Sequence, residues 1–252
     1  MKNLKVIIFL VSLSMSTNIF ATTVEGIEIP LSFDESTKYI SPEFNLPYLV
    51  LTREKISFPS KTKLGKRQKM KFQKALDIME IVINSEEFKR LVISYQRKIG
   101  TNPSGDPIYE RSFSKNYLWN NSKARLTNEE IYNIIMLGNE KMRPNTHGEI
   151  NFNSYVKICS RYQLMVRNIN WCNGTIGSTK PSSSKMIKLN WKFYKKYETH
   201  EMLANMVHEW VHLLGFLHGE SNIHQEVPYV VGAIVKKLAK NISENKIAKN
   251  SY

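Results

Sequence analysis

The stretch HEWVHLLGFLHG, residues 208–219, carries three histidines and a glutamate at spacings that fit a metal site at the end of a helix. His208 and His212 are four residues apart, which places both imidazoles on one helical face, about one turn apart, within reach of a single ion. Gly215 tolerates left-handed dihedrals and is predicted to end the helix in a sharp turn that returns His218 as a third nitrogen ligand. This eleven-residue pattern would arise by chance at a level of roughly 10⁻⁵.

These residue types indicate a hydrolytic zinc site. Three neutral imidazoles suit Zn²⁺, which in catalytic sites keeps one position open for water and lowers the pKa of that water to about 7. Glu209 is offset toward the same open side, where it can act as a general base and then protonate a leaving amine. We therefore expect His208, His212 and His218 to bind Zn²⁺, with Glu209 as a catalytic residue. Three histidines buried in a core are the competing interpretation, but the chain contains only 6 histidines and three of them cluster here.

Helical periodicity surrounds the motif on both sides. The motif itself lies in a helix that is predicted to start near Thr199. A C-terminal helix follows, and its apolar face consists of Val230, Val231, Ile234, Val235 and Leu238. Far upstream, a helix is predicted from Lys66, with an inward face of Met70, Leu76, Met79 and Ile83.

Capping patterns predict where two further helices begin. Asn84, three residues before Glu87, is predicted to cap the second helix. Thr127 and Glu130 form a stronger capping box, which opens a third helix that ends at Gly138. These two further helices are interpreted as scaffold rather than as parts of a site.

Between residues 152 and 193 the pattern is typical of strands. Apolar and polar residues alternate near its end, which predicts a strand with one wet face: Ile187, Leu189, Trp191 and Phe193 against Lys188, Asn190 and Lys192. Two glycines between Asn173 and Ser178 indicate a short strand that another backbone could approach closely. Because helices, then strands, then helices occur in blocks, the predicted fold class is α+β.

The N-terminal segments predict export. Residues 1–21 have a positively charged start, an apolar run too short to span a bilayer and a small residue at Ala21, the layout of a cleavable secretory signal. An uncleaved anchor is the minor alternative. Residues 22–64 contain four prolines among short apolar pieces, which indicates an extended arm or a pro-segment. The catalytic domain is then predicted over residues 65–252, in a periplasmic or extracellular protein that has no transmembrane segment after signal cleavage.

Charge and cysteine content fit an exported protein. Lys and Arg number 36 against 22 Asp and Glu, which makes anionic cell-envelope polymers candidate partners. The lysines are scattered rather than clustered with aromatic residues, so no dedicated nucleic-acid binding is expected. Cys159 and Cys172 are predicted to form one disulfide, worth roughly 3 kcal/mol. Metal ligation or nucleophilic catalysis by a thiolate is the alternative, and nothing in the sequence requires it.

The motif resembles the His-Glu-x-x-His-x-x-Gly-x-x-His signature of the metzincin zinc peptidases, matched here at His208, Glu209, His212, Gly215 and His218. The resemblance implies a catalytic domain split by a cleft, with a twisted sheet and two backing helices above and zinc at the cleft floor. It also implies a protein or peptide substrate extended along an edge strand, for which residues 173–178 are the candidate. The wider sequence looks like uncharacterised secreted bacterial peptidases.

One element of the metzincin pattern is missing. Metzincins carry a methionine turn beneath the zinc, downstream of the third histidine, whereas the last methionine here is Met206. Val227 or Tyr229 could supply the apolar floor instead. In some metzincin branches a tyrosine next to that methionine assists at the zinc, so the resemblance makes Tyr229 a candidate catalytic residue that stabilises an oxyanion. Alternatively, Tyr229 simply opens the C-terminal helix. His224 is expected at the surface or behind the ligands.

The preferred function is therefore an exported zinc-dependent metalloendopeptidase, which hydrolyses peptide bonds by a zinc-bound water with Glu209 as general base. One alternative is a non-catalytic, zinc-stabilised module that binds the cell envelope. Another keeps the mechanism but cleaves amide bonds in peptidoglycan crosslinks. The glutamate favours catalysis, because a purely structural zinc site gains nothing from an acid at that position.

Overall fold

The computed structural model describes residues 49–57, 66–140, 149–157, 170–179, 186–219 and 223–249. The predicted signal, residues 1–21, lies outside this part of the chain, as does most of the predicted arm. Cys172 is buried and disulfide-bonded, while Cys159, its predicted partner, lies outside the described residues.

The described strands form a four-stranded sheet and a separate hairpin. The sheet has the order β1 (Val50–Ser57), β4 (Glu149–Lys157), β6 (Ile187–Asn190) and β5 (Gly177–Ser178). Neighbours are parallel except for β5, which runs antiparallel to β6 at the edge. The hairpin consists of β2 (Arg97–Thr101) and β3 (Pro107–Glu110). Because β1 comes from the segment predicted as an arm, that part of the arm belongs to the sheet.

The described residues contain seven α-helices and a short 3-10 helix at Ile223–Gln225. The α-helices are α1 (Lys66–Ile83), α2 (Glu86–Ile93), α3 (Asn128–Leu137), α4 (Asn170–Gly174), α5 (Trp191–Tyr194), α6 (Thr199–Leu213) and α7 (Val227–Lys249). Helix α6 packs mainly against α7, and α1 packs on both. The α6–α7 crossing is close, since a Cβ added at Gly232 would lie 2.9 Å from the Ala204 carbonyl oxygen. This mixture of helices and sheet confirms the α+β class.

The inward face of α1 differs from the prediction at its start. Met70 is 60% exposed, whereas Phe72, Leu76 and Met79 are buried. At 100° per residue, Met70 lies about 200° from Phe72, on the opposite side of the helix. The helix therefore buries the stripe that begins at Phe72, and the prediction was wrong for Met70 alone.

One of the two predicted caps is displaced by one residue. Thr127 caps α3 in a complete capping box, and Gly138 ends that helix at φ 61° in the left-handed region, as predicted. Helix α2, however, is capped by Ser85. Asn84 instead uses its side-chain amide to bond the N–H and the C=O of Leu49, at 2.8 and 2.9 Å. Asn84 thus holds the residue that leads into β1, a tertiary contact that overrides local capping.

The predicted strand of residues 187–193 ends earlier than expected. Alternation holds through Leu189, but Asn190 is buried rather than wet, and the next four residues form α5. The Asn190 side chain accepts a hydrogen bond from the Lys192 N–H at 3.1 Å and donates one to the Thr175 carbonyl at 2.8 Å. It therefore caps the helical turn and ends the strand. In the predicted strand of residues 173–178, Gly177–Ser178 is extended, and α4 occupies its start.

Candidate metal centre

Helix α6 presents two of the predicted ligands from a buried position. It starts at Thr199 as predicted, where Glu201 Oε2 accepts a hydrogen bond from the Glu198 N–H at 2.9 Å. Most of its remaining length is buried among apolar side chains, which fixes its rotation about its own axis. Gly215 follows with φ 111°, in the left-handed region that favours glycine, and its N–H donates to the His212 carbonyl. The predicted turn after the helix is confirmed.

The three predicted ligands converge. Nε2 of His218 lies 3.1 Å from Nε2 of His212 and 3.2 Å from Nε2 of His208. A tetrahedral zinc with Zn–N bonds of 2.0–2.1 Å would require its nitrogen ligands to be about 3.3–3.4 Å apart. Among the described residues, these three histidines form a group that could hold a metal ion.

The opposite ring nitrogens determine which atoms face the centre. Nδ1 of His212 lies 2.6 Å from the Phe216 carbonyl oxygen, and Nδ1 of His218 lies 2.7 Å from Glu226 Oε2. His208 is hydrogen-bonded to the backbone of Pro228, which has no N–H and therefore accepts through its carbonyl. Since Nε2 of His208 faces the centre, we assign that bond to Nδ1. Each ring is thus protonated at Nδ1 and directs an Nε2 lone pair inward.

This arrangement fits a bound cation. Three lone pairs about 3 Å apart cannot hydrogen-bond to one another, because none of the three Nε2 atoms then carries a proton. Burial and the neighbouring histidines lower the pKa of His208 well below its usual value. Burial and His218 lower the pKa of His212 to about 3. His208 and His212 therefore stay neutral, as metal ligands must, and a shared cation would satisfy all three Nε2 lone pairs.

Glu209 lies beneath the edge strand β5. Its side chain is only 5% exposed, and burial raises its pKa to about 8, although an interaction with Thr179 opposes this rise. A Cβ added at Gly177 would lie 2.6 Å from Glu209 Oε1. The absence of a side chain at Gly177 therefore creates the space that the Glu209 carboxylate occupies.

Tyr229 forms part of the floor of the centre. It lies in the first turn of α7 and is only 3% exposed. Its ring centroid is 4.5 Å from that of His208, with the rings nearly perpendicular, and 4.9 Å from that of His218. Burial, followed by the charges of Glu209 and Glu226, raises the pKa of Tyr229 to about 12, so its hydroxyl remains protonated at neutral pH. His224 is exposed and its ring contacts the same tyrosine.

Residues 113–119, here called the support segment, hold the loop that carries His218. Ser114 pairs with Glu226 in a parallel bridge, and its N–H donates to the Gln225 carbonyl at 3.0 Å. The Trp119 N–H donates to the Gly215 carbonyl, also at 3.0 Å. Lys115 Nζ donates to the backbone carbonyl of His218. The loop is therefore fixed at its start, at the ligand and at its end.

Glu226 is the residue of the centre that sequence reasoning missed. It is fully buried and contacts His218, but it lies eight residues further along the chain, beyond any helical spacing. The available signal was an acidic residue directly before Val227 and Pro228, at the point where the apolar C-terminal helix begins. A charge placed there requires a partner once the helix is buried.

Comparison with known proteins adds no relatives. No family model, curated protein or solved structure matches the chain. Within the described residues, no helix combines the length and apolar content that would be needed to cross a membrane. The structure thus provides an α+β fold and a three-histidine group that could hold a metal ion.

Proposed function

We propose that this chain is an exported, zinc-dependent metalloendopeptidase of the metzincin type. His208, His212 and His218 are the proposed zinc ligands, and Glu209 is the proposed general base. The observation that carries the proposal is the set of three converging Nε2 lone pairs, each fixed by an acceptor at Nδ1, together with a buried glutamate on the helix that carries two of them. Export is proposed from residues 1–21.

The number of ligands supports a catalytic rather than a structural metal. Structural zinc sites in proteins are almost always closed by four protein ligands, whereas catalytic sites use three and leave a position open. In the part of the chain that the structure describes, the metal-binding group comprises three histidines and no fourth His, Cys, Asp or Glu. Glu226 contacts the outer nitrogen of His218, so it supports a ligand without being one.

The side chains around the centre provide the proton transfers that amide hydrolysis needs. A zinc ion held there would polarise the substrate carbonyl and acidify a water molecule. A neighbouring cation also favours the ionised form of Glu209, which opposes the effect of burial on its pKa. Glu209 then accepts the proton of the attacking water and delivers it to the leaving amine. Tyr229 packs against the imidazoles of His208 and His218, and this packing would limit their tilting.

The edge strand β5 offers a place for an extended substrate. In the described sheet it pairs on one side only, with β6. Gly177 of this strand packs directly on the Glu209 side chain. A peptide that adds to β5 by backbone hydrogen bonds would therefore pass close to the general base. This proximity favours a peptide substrate over a compact small molecule.

Metal analysis combined with cleavage profiling tests the proposal. We expect about one zinc per chain, cleavage of an unfolded protein and of an extended peptide library, and loss of cleavage with a chelator. Glu209→Gln should abolish cleavage and retain zinc. Glu201→Gln is the matched control on the same helix, because glutamine can also accept at the helix start, and it should retain both properties.

Two results would contradict this function. If the correctly folded wild-type protein binds no zinc, the proposed metal centre is ruled out. Zinc binding without cleavage of any library member, together with unchanged envelope binding in Glu209→Gln, would instead support a structural metal. The mass of the protein recovered outside the cytoplasm tests export, since removal of residues 1–21 should shorten the chain.

A further inference from the structure

Glu226 is a fully buried glutamate that contacts the third histidine from behind. Its Oε2 lies 2.7 Å from Nδ1 of His218, and its Oε1 accepts the N–H of Gly219. A Cβ added at Gly219 would lie 2.7 Å from that same Oε1. Both carboxylate oxygens are therefore engaged by the short stretch that contains the ligand.

We propose that Glu226 is a positioning residue of the metal centre, which fixes the tautomer and ring orientation of His218. The two helical ligands are already oriented by α6 and by backbone carbonyls. His218 lies on a loop beyond Gly215, where no helix determines the direction of its ring. Accepting the Nδ1–H directs the Nε2 lone pair to the centre, and an anionic acceptor also strengthens the imidazole as a ligand.

The backbone around Glu226 is held well enough for this role. Glu226 forms a parallel β-bridge with Ser114, and helix α7 begins at the next residue, Val227. Lys115 meanwhile holds the backbone carbonyl of His218. Because both ends of the Glu226–His218 contact are anchored by the support segment, the contact can resist rotation of the imidazole. The inference rests on the proposed zinc site but not on hydrolysis.

Zinc affinity of Glu226→Gln, measured by competition with a chromogenic chelator, tests this inference. Glutamine has the same shape but only one acceptor oxygen for two donors, His218 Nδ1–H and the Gly219 N–H, so one donor must face an amide NH₂. We expect the affinity to fall by about 10–100-fold, the usual cost of losing such a partner. Gly219→Ala, which displaces the carboxylate, should weaken zinc binding in the same direction.

Glu140→Gln is the matched control. Glu140 is also a buried glutamate, only 2% exposed, and its Oε1 accepts a hydrogen bond from Trp210 Nε1 on α6 at 3.1 Å. The Glu140→Gln substitution thus perturbs a buried carboxylate that bonds α6, the helix of the other two histidines, at Trp210 rather than at a proposed ligand. We expect its zinc affinity to equal that of the wild type.

A double-mutant cycle separates positioning from a general structural role. In a His218→Ala background, Glu226→Gln should cause no further loss of zinc affinity, because its target is gone. The visible absorption of the Co²⁺-loaded protein should change in Glu226→Gln and remain unchanged in Glu140→Gln. A loss of equal size in both backgrounds, or an unchanged affinity in a folded Glu226→Gln, would overturn the inference. Absence of zinc in the wild type would overturn the proposed function as well, so the two failures are distinguishable.

Discussion

Replacing Gly177 with alanine would place a methyl group against the general base. The new Cβ would lie 2.6 Å from Glu209 Oε1 and 2.8 Å from Asn205 Oδ1, whereas ordinary contacts begin at 3.4 Å. The carboxylate must therefore retreat by about 0.8 Å in a packed interior. A misplacement of about 1 Å can cost a catalytic group roughly 100-fold in rate. We expect kcat/KM to fall by about that factor, which corresponds to about 2.7 kcal/mol of transition-state stabilisation.

The assay is cleavage of the best peptide from the library by zinc-saturated protein. Zinc affinity should stay at the wild-type level, because the three atoms nearest to the added methyl group belong to Glu209 and Asn205 and not to a histidine. The added volume should also lower the free energy of unfolding by about 1–3 kcal/mol, so activity is compared at a temperature where both proteins are folded. Gly174→Ala is the control, since a Cβ there meets nothing within 4 Å. Equal activity of folded Gly177→Ala and Gly174→Ala would refute this account of how Glu209 is placed.

Three further predictions concern the helix crossing, the floor and the pH dependence. Gly232→Ala should lower the free energy of unfolding by about 1–3 kcal/mol in urea titrations, because its Cβ would lie 2.9 Å from the backbone oxygen of Ala204, which cannot move alone. Tyr229→Phe should retain zinc affinity in chelator competition, whereas Tyr229→Ala should weaken it, because the aromatic ring makes the contacts with His208 and His218. A loss of kcat in Tyr229→Phe would show that the hydroxyl takes part in catalysis. In metal-free protein, Glu209 has a pKa of about 8 against 4.5 when unfolded, so the folded state holds the extra proton between these values. Its contribution to stability should be lost as pH rises through this window, and melting temperatures of wild type and Glu209→Gln at pH 5 and 8 measure that loss.

The three-histidine group was largely predictable because its determinants are local. His208 and His212 share a helical face by spacing alone, and Gly215 allows the turn that returns His218. The concentration of three of the 6 histidines in this short stretch made a shared cation the preferred explanation. The predicted roles of Glu209 and the zinc remain predictions until turnover and metal content are measured.

The parts that sequence reasoning missed depend on contacts between distant residues. Asn84 was expected to cap a helix because local spacing allowed it, yet its side chain pairs with Leu49, 35 residues earlier. The alternating pattern predicted that Asn190 is exposed, but its side chain is buried and donates a hydrogen bond to the Thr175 carbonyl. Glu226 follows no periodic rule with respect to His218. In each case a polar side chain satisfies a buried backbone or ring group whose position only the assembled fold determines.

The support segment also determines when the centre can form during folding. Lys115 and the His218 carbonyl that it contacts are separated by 103 positions along the chain. Until these regions meet, only the imidazoles of His208 and His212 are oriented by a helix, and the orientation of His218 is not fixed. Tight metal binding is therefore expected late in folding. It would follow the contact between Lys115 and His218, which closes a long loop and carries the entropy cost of that closure. Once captured, the ion would join regions that are far apart in the chain, so that its release would loosen the whole domain rather than one loop.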